Sequence, residues 1–132
     1  MNLFQYIVCS SMSEQEIPPW LREQLSRLNQ IQQNLQAVLM QKQQLEIEGM
    51  EIDKALDELK KSSDDTVYKS AGPVLIRSKK DDVMKELEEK KELLNTRIAV
   101  LSKQELRLKE SLKEVQGRID EMVRGTSRPR AE

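Results

Sequence analysis

Proline occupies only four positions in this 132-residue chain, Pro18, Pro19, Pro73 and Pro129. Two long stretches, 20–72 and 74–128, therefore lack the residue that removes a helical hydrogen bond and clashes with the preceding turn. Both carry apolar residues at alternating steps of three and four. The first runs through Leu21, Leu25, Leu28, Leu35 and Val38, then Leu45, Gly49, Ile52, Leu56 and Leu59. The second runs through Val83, Leu87, Leu94, Ile98 and Leu101, then Glu105, Leu108, Leu112, Val115, Ile119 and Met122. This is the repeat of a left-handed coiled coil. Ile31, Leu35, Val38 and Leu39 cannot all share one seam, so a phase slip is expected between Leu28 and Val38. A four-residue stutter is expected near Lys90 in the second arm.

Composition agrees with exposed helices rather than a globular core. Charged residues make up 34% of the chain and aromatic residues 3%, which leaves few large side chains to fill an interior. Lys and Arg (22) nearly balance Asp and Glu (23), without the basic excess of a dedicated nucleic-acid binder. No His is present and Cys9 is the single Cys, so a His/Cys zinc site, a Ser-His-Asp triad and a disulfide within one chain are all excluded. The four glycines, Gly49, Gly72, Gly117 and Gly125, form neither a GxxxxGK nor a GxGxxG phosphate loop. An enzyme is not indicated, no cofactor is implied, and no apolar run reaches the length of a membrane span.

Between the arms, residues 62–78 read SSDDTVYKSAGPVLIRS. Ser62, Ser63, Asp64 and Asp65 compete for backbone groups and end the first helix. Two β-prone runs then flank Ala71-Gly72-Pro73, the pattern of a hairpin. Ser78 with Asp81 resembles a capping box for the second helix, and Gly125 suits its C-terminal stop. The expected fold is mainly α: two long helices in an antiparallel coiled coil, joined by one β-hairpin. Helices are expected at 19–62 and 79–124, the hairpin at 65–78, and the whole unit at 12–125. Partners across the pair should sum to roughly 144, placing Leu28 near Val115 and Trp20 near Val123. Residues 126–132 read as a disordered tail. Residues 1–11, MNLFQYIVCSS, read as an upstream start or a disordered leader, with Met12 as the second possible start. Their other reading is a partner-binding strand through Phe4, Tyr6, Ile7 and Val8.

The segment Val67, Tyr68, Lys69, Gly72, Pro73, Val74, Leu75 and Ile76, followed by KELEEKKELLNTRI, resembles the β-type subunits of the prefoldin family. The resemblance spans residues 12 to about 124. It implies a cytoplasmic hexamer of two α-type and four β-type subunits, in which the hairpins assemble into an inter-subunit β-barrel. It also implies capture of unfolded polypeptides at the coiled-coil tips without nucleotide, and delivery to a group II chaperonin. One hairpin between the arms fits the β type. The leader departs from the family pattern.

Two sets of residues are the candidates for function. Val67, Tyr68, Gly72, Pro73, Val74, Leu75 and Ile76 form the oligomerisation element, because an isolated two-stranded hairpin is marginal in water. Folding back to cap the helices is the other use of that hairpin. Ile17, Trp20, Leu21, Leu25, Leu28, Leu112, Val115, Ile119 and Met122 form the substrate-binding tip. Along most of the arms such residues are ordinary seam residues. At the last turns helix ends fray, Gly117 loosens the second arm, and Trp20 is too large to hide between two helices. A coiled-coil tether or scaffold shares every heptad argument, but gives no reason for an apolar hairpin at the bend.

Overall fold

The structure, a computed structural model, describes residues 17–127. The leader at residues 1–11 lies outside the described residues. Helix α1 spans Pro19–Lys61, strands β1 (Thr66–Ala71) and β2 (Val74–Lys79) form an antiparallel hairpin, and helix α2 spans Lys80–Ser127.

Pro19 opens α1 at the first helical position, where its missing N–H would have had no intrahelical partner. Pro18 supplies the first acceptor: its carbonyl takes the Arg22 amide at 3.0 Å. Lys60 and Lys61 close the helix at its negative end. The Ser-Ser-Asp-Asp run then breaks it by the side-chain competition expected of these residues. Ser62 Oγ accepts from the Asp64 amide at 3.3 Å, and Asp64 Oδ1 accepts from the Thr66 amide at 3.1 Å.

Helix α2 does not begin on a capping box. Ser78 belongs to β2, opposite Val67, and its hydroxyl donates to the Ile76 carbonyl. The residue before β1 serves that end of the helix instead, since the Lys80 amide donates to the Asp65 carbonyl at 2.9 Å. Lys80 Nζ also donates to the Ser62 carbonyl at 2.5 Å, fastening the end of α1 to the start of α2. Asp81 and Asp82 lie where the helix dipole favours negative charge. Gly125 is not a stop. Its φ is not positive, and α2 continues through the first two residues of the expected tail.

The chain packs as two compact units, one joining residues 17–37 with 105–127 and the other formed by 38–104. Each is held by contacts between the two helices. In the first, Leu21, Leu28, Ile31, Val115 and Ile119 are buried, with Ile17, Trp20, Leu25, Leu108, Leu112 and Val123 packed against them. In the second, Ile52, Leu56 and Leu94 are buried, with Leu45, Met84 and Leu87 against them. Leu28 with Val115 and Trp20 with Val123 thus share one cluster, as an antiparallel register summing to about 144 requires. Glu48 pairs with Lys90 at 3.3 Å, and Asp53 with Lys91, from helix to helix. Such exposed pairs contribute about 0–1 kcal/mol each and help register more than stability.

The phase slip in α1 is visible in which residues turn inward. Ile31 is buried, Leu35 and Val38 are half-buried, and Leu39 is exposed. Successive inward steps of three, Leu25 to Leu28 to Ile31, locally overwind the seam. No stutter occurs in α2. Lys90 is exposed and Lys91 half-buried, so the seam passes through Leu87, Lys91, Leu94, Ile98 and Leu101 with its 3–4 alternation intact. The lysine stem covers apolar surface while its ammonium reaches Asp53.

Burial makes a contrast that melting experiments read directly. Leu28, 2% exposed, should lose about 2–5 kcal/mol on substitution Leu28→Ala. Leu39→Ala should stay within about 0.5 kcal/mol, because Leu39 is off the seam. Equal losses in thermal unfolding followed by helical circular dichroism would return Leu39 to the seam and remove the slip.

Candidate functional surfaces: the hairpin and the tip

Gly72 and Pro73 make the two-residue turn between Ala71 and Val74. Gly72 has φ of 59°, the left-handed region at the first central position, which matches a type II′ turn and the twist of its strands. Pro73 is therefore in the turn and not in β2. Its fixed φ suits the second central position, and no ladder hydrogen bond is lost.

Residues directly opposite in the ladder share a face. Val67, Lys69, Ala71, Val74, Ile76 and Ser78 lie on one side, and Thr66, Tyr68, Ser70, Leu75, Arg77 and Lys79 on the other. The base of the first face meets α2. There Val67 is half-buried and Lys69 Nζ pairs with Glu86 of α2 at 2.6 Å. Tyr68 (66%), Val74 (56%), Leu75 (69%) and Ile76 (48%) are exposed, so the hairpin does not fold back to cap the helices. It presents apolar side chains on both faces. In a two-stranded sheet each strand also keeps one edge without a strand partner.

The tip is built from the start of α1 and the end of α2. Of its nine sequence-derived residues, Leu21, Leu28, Val115 and Ile119 are buried and act as seam. Ile17, Trp20, Leu25 and Leu112 are half-buried, and Met122 is 38% exposed. The structure brings all but Met122 into one apolar cluster and adds Val123, Ile31 and Leu108 to it. The Ile17 carbonyl accepts from Arg22 Nη2 at 3.2 Å, which holds the entering chain against the first turn. One polar atom fits poorly: Gln24 Oε1 is buried without a hydrogen-bond partner. The surrounding ion pairs, Glu114 with Arg118 and Asp120 with Arg124, lie within α2 and form a solvated face.

Heptad reading missed apolar residues on the flank of the second unit. Met40, Ile47, Leu93 and Val100 are half or more exposed. Beside them run two open grooves, one of about 390 Å³ lined by Gln41, Gln44, Leu45, Arg97, Val100 and Leu101. The other, of about 450 Å³, includes Ile47, Glu51, Ala55 and Leu87. The available signal was a seven-residue spacing off the seam, 40 to 47 and 93 to 100. Among the described residues no acidic, His or Cys cluster is placed to hold a metal. No described helix is long and apolar enough to cross a membrane.

Known proteins share this arrangement. A family model described as a prefoldin subunit matches residues 22–126. The chain is similar to prefoldin subunit beta of Archaeoglobus fulgidus, 42% identical over 109 residues, 82% of this chain and 94% of that protein. Similarity to prefoldin subunit beta of Thermococcus kodakarensis is 41% over 111 residues, covering 83% and 95%. Among solved structures, the crystal structure of the prefoldin beta subunit from Thermococcus strain KS-1 matches with a TM-score of 0.74 at 40% identity. That match covers 88% of this chain and 99% of the other.

The turn geometry generates one expectation. A Cβ at Gly72 meets nothing within 4 Å, so Gly72→Ala tests backbone strain alone. It should destabilise the hairpin by about 1–2 kcal/mol, seen as faster amide hydrogen exchange in β1 and β2 with α1 and α2 unchanged. Unchanged strand protection would show that the turn does not need the left-handed residue.

Proposed function

This chain belongs to the prefoldin subunit family, and from that premise we propose that it is the β-type subunit of a cytoplasmic chaperone hexamer that captures unfolded polypeptide at its tips. In this reading two α-type and four β-type chains join through their hairpins. Capture prevents aggregation without nucleotide, and bound chains pass to a group II chaperonin.

The observation that carries the reading is the pairing of two apolar surfaces of different kinds in one chain. The hairpin exposes Tyr68, Val74, Leu75 and Ile76 together with hydrogen-bonding edges, the chemistry of permanent strand association. The tip exposes only parts of Ile17, Trp20, Leu25, Leu112 and Met122, the chemistry of a weak, reversible apolar contact. A tether or scaffold gives no reason for the first surface and has no use for the second. Several tips acting on one client raise the effective concentration and turn weak contacts into useful avidity. No bond is made or broken, so release needs only a competitor for the same surface.

Capture is tested by light scattering as guanidinium-unfolded, reduced lysozyme is diluted into the assembly formed with the α-type partner, without nucleotide. Aggregation should be suppressed. Removing residues 12–28 together with 112–132 should abolish suppression while hexamer mass is retained. Full suppression by the truncated assembly would place capture elsewhere, with the flank of Met40, Ile47, Leu93 and Val100 as the next surface to alter.

The assembly role of the hairpin has its own readout. Val74→Lys with Ile76→Lys should leave helical, soluble particles of lower mass in sedimentation. A hexamer of unchanged mass would remove the hairpin from the interface.

A further inference from the structure

The segment ahead of α1 holds a run of apolar residues outside the heptad and hairpin patterns of the sequence. Leu3, Phe4, Tyr6, Ile7 and Val8 fall within six residues, and Phe4 and Tyr6 are two of only four aromatic residues in the chain. The segment is also an addition to the family unit. The prefoldin subunit beta of Archaeoglobus fulgidus is covered over 94% of its length by 82% of this chain, that of Thermococcus onnurineus over 98% by 86%, and the family match starts at residue 22.

Connectivity places this addition at the tip. The chain enters the described structure at Ile17, whose side chain packs on the tip cluster and whose carbonyl is held by Arg22. Between Val8 and Ile17 lie only residues 9–16, CSSMSEQE, a polar stretch reaching roughly 30 Å when fully extended. On such a tether the effective concentration at the nearest surface is about millimolar. That surface is the half-open apolar patch of Ile17, Trp20, Leu25, Met122 and Val123. A weak apolar contact, insufficient between separate molecules, is then largely formed within one chain.

We propose that segment Leu3–Val8 binds in cis to the tip and competes there with client polypeptide. Docking stands on the tether, the composition of the segment and the open patch; the competition with client rests on the capture reading above. Capture is then graded: a client must offer more apolar contact, or engage more tips, than the built-in segment.

The chain carries its own reporters, because Cys9 is the only Cys and Trp20 the only Trp. A nitroxide on Cys9 of the full chain should quench Trp20 fluorescence strongly and equally at all protein concentrations. Phe4→Ser, Tyr6→Ser and Ile7→Ser together keep the tether length and supply the undocked baseline, with helical content checked by circular dichroism. Quenching equal to that baseline would overturn docking, and quenching that grows with concentration would assign it to another copy and overturn the cis contact. In the scattering assay with the α-type partner, the triple variant should protect lysozyme at about three- to tenfold lower concentration. That range follows from a tip free for about 10–30% of the time in the unaltered chain. Equal protection by both chains would overturn the competition. Quenching relieved by the triple variant with no protection by either chain would uphold docking and refute the capture reading instead.

Discussion

The contact between α1 and α2 along one apolar seam is what every other feature of this chain depends on. Among the described residues the fully buried positions are all Leu, Ile or Val, and none is polar or charged. Burial of such a side chain contributes about 1.5–3 kcal/mol. Long solitary helices gain little from intrinsic propensity, so this burial is what fixes their length and pairing. The partners differ in regularity: α2 keeps its 3–4 alternation from Leu87 to Ile119, while α1 slips by taking in Ile31 and turning out Leu39.

A seam of this kind must stop, and each stop leaves apolar surface of a different character. At the C-terminal end of α1 the Ser-Ser-Asp-Asp run satisfies its own backbone groups, and Lys80 ties the two helices together through Ser62. The chain thereby reverses without drawing on the hairpin, whose apolar residues remain outward on both faces. At the N-terminal end of α1 nothing ties the helices covalently. Packing there rests on buried Leu21 and Ile119, with Ile17, Trp20 and Val123 half-buried around them.

Much of this was legible from residue spacing. The proline-free arms, the hairpin around Gly72-Pro73 and the partnership of Leu28 with Val115 needed only periodicity and turn chemistry. What escaped had physical causes. Ser78 matched a capping pattern, but extending β2 through Lys79 gave its backbone a ladder partner in Val67, and tertiary pairing outweighed the local motif. Gly125 matched a stop signal, yet no left-handed conformation forms and α2 continues. The stutter near Lys90 followed from two successive steps of four, Lys90 to Leu94 to Ile98. Lys91 occupies the seam position by burying its stem, which an apolar-only reading of heptads cannot detect. At the tip, spacing identifies the stripe of nine residues but not where along it the burial ends.

That last distinction bears on how capture without an energy source would work. Leu21, Leu28, Val115 and Ile119 are needed to hold the helices together, so they are poor direct contacts for a client while the tip is closed. The half-buried residues can exchange one apolar neighbour for another at small net cost, because the surface removed from water is similar in both states. A newly exposed patch the size of one aromatic side chain, roughly 150–250 Å², yields only a few kcal/mol. Association costs of at least about 4 kcal/mol consume most of that. On the capture reading a single tip would be reversible, and retention would come from several tips on one chain. Release would then require no chemical step, only a partner that takes the client's apolar segments one at a time while the remaining tips still hold.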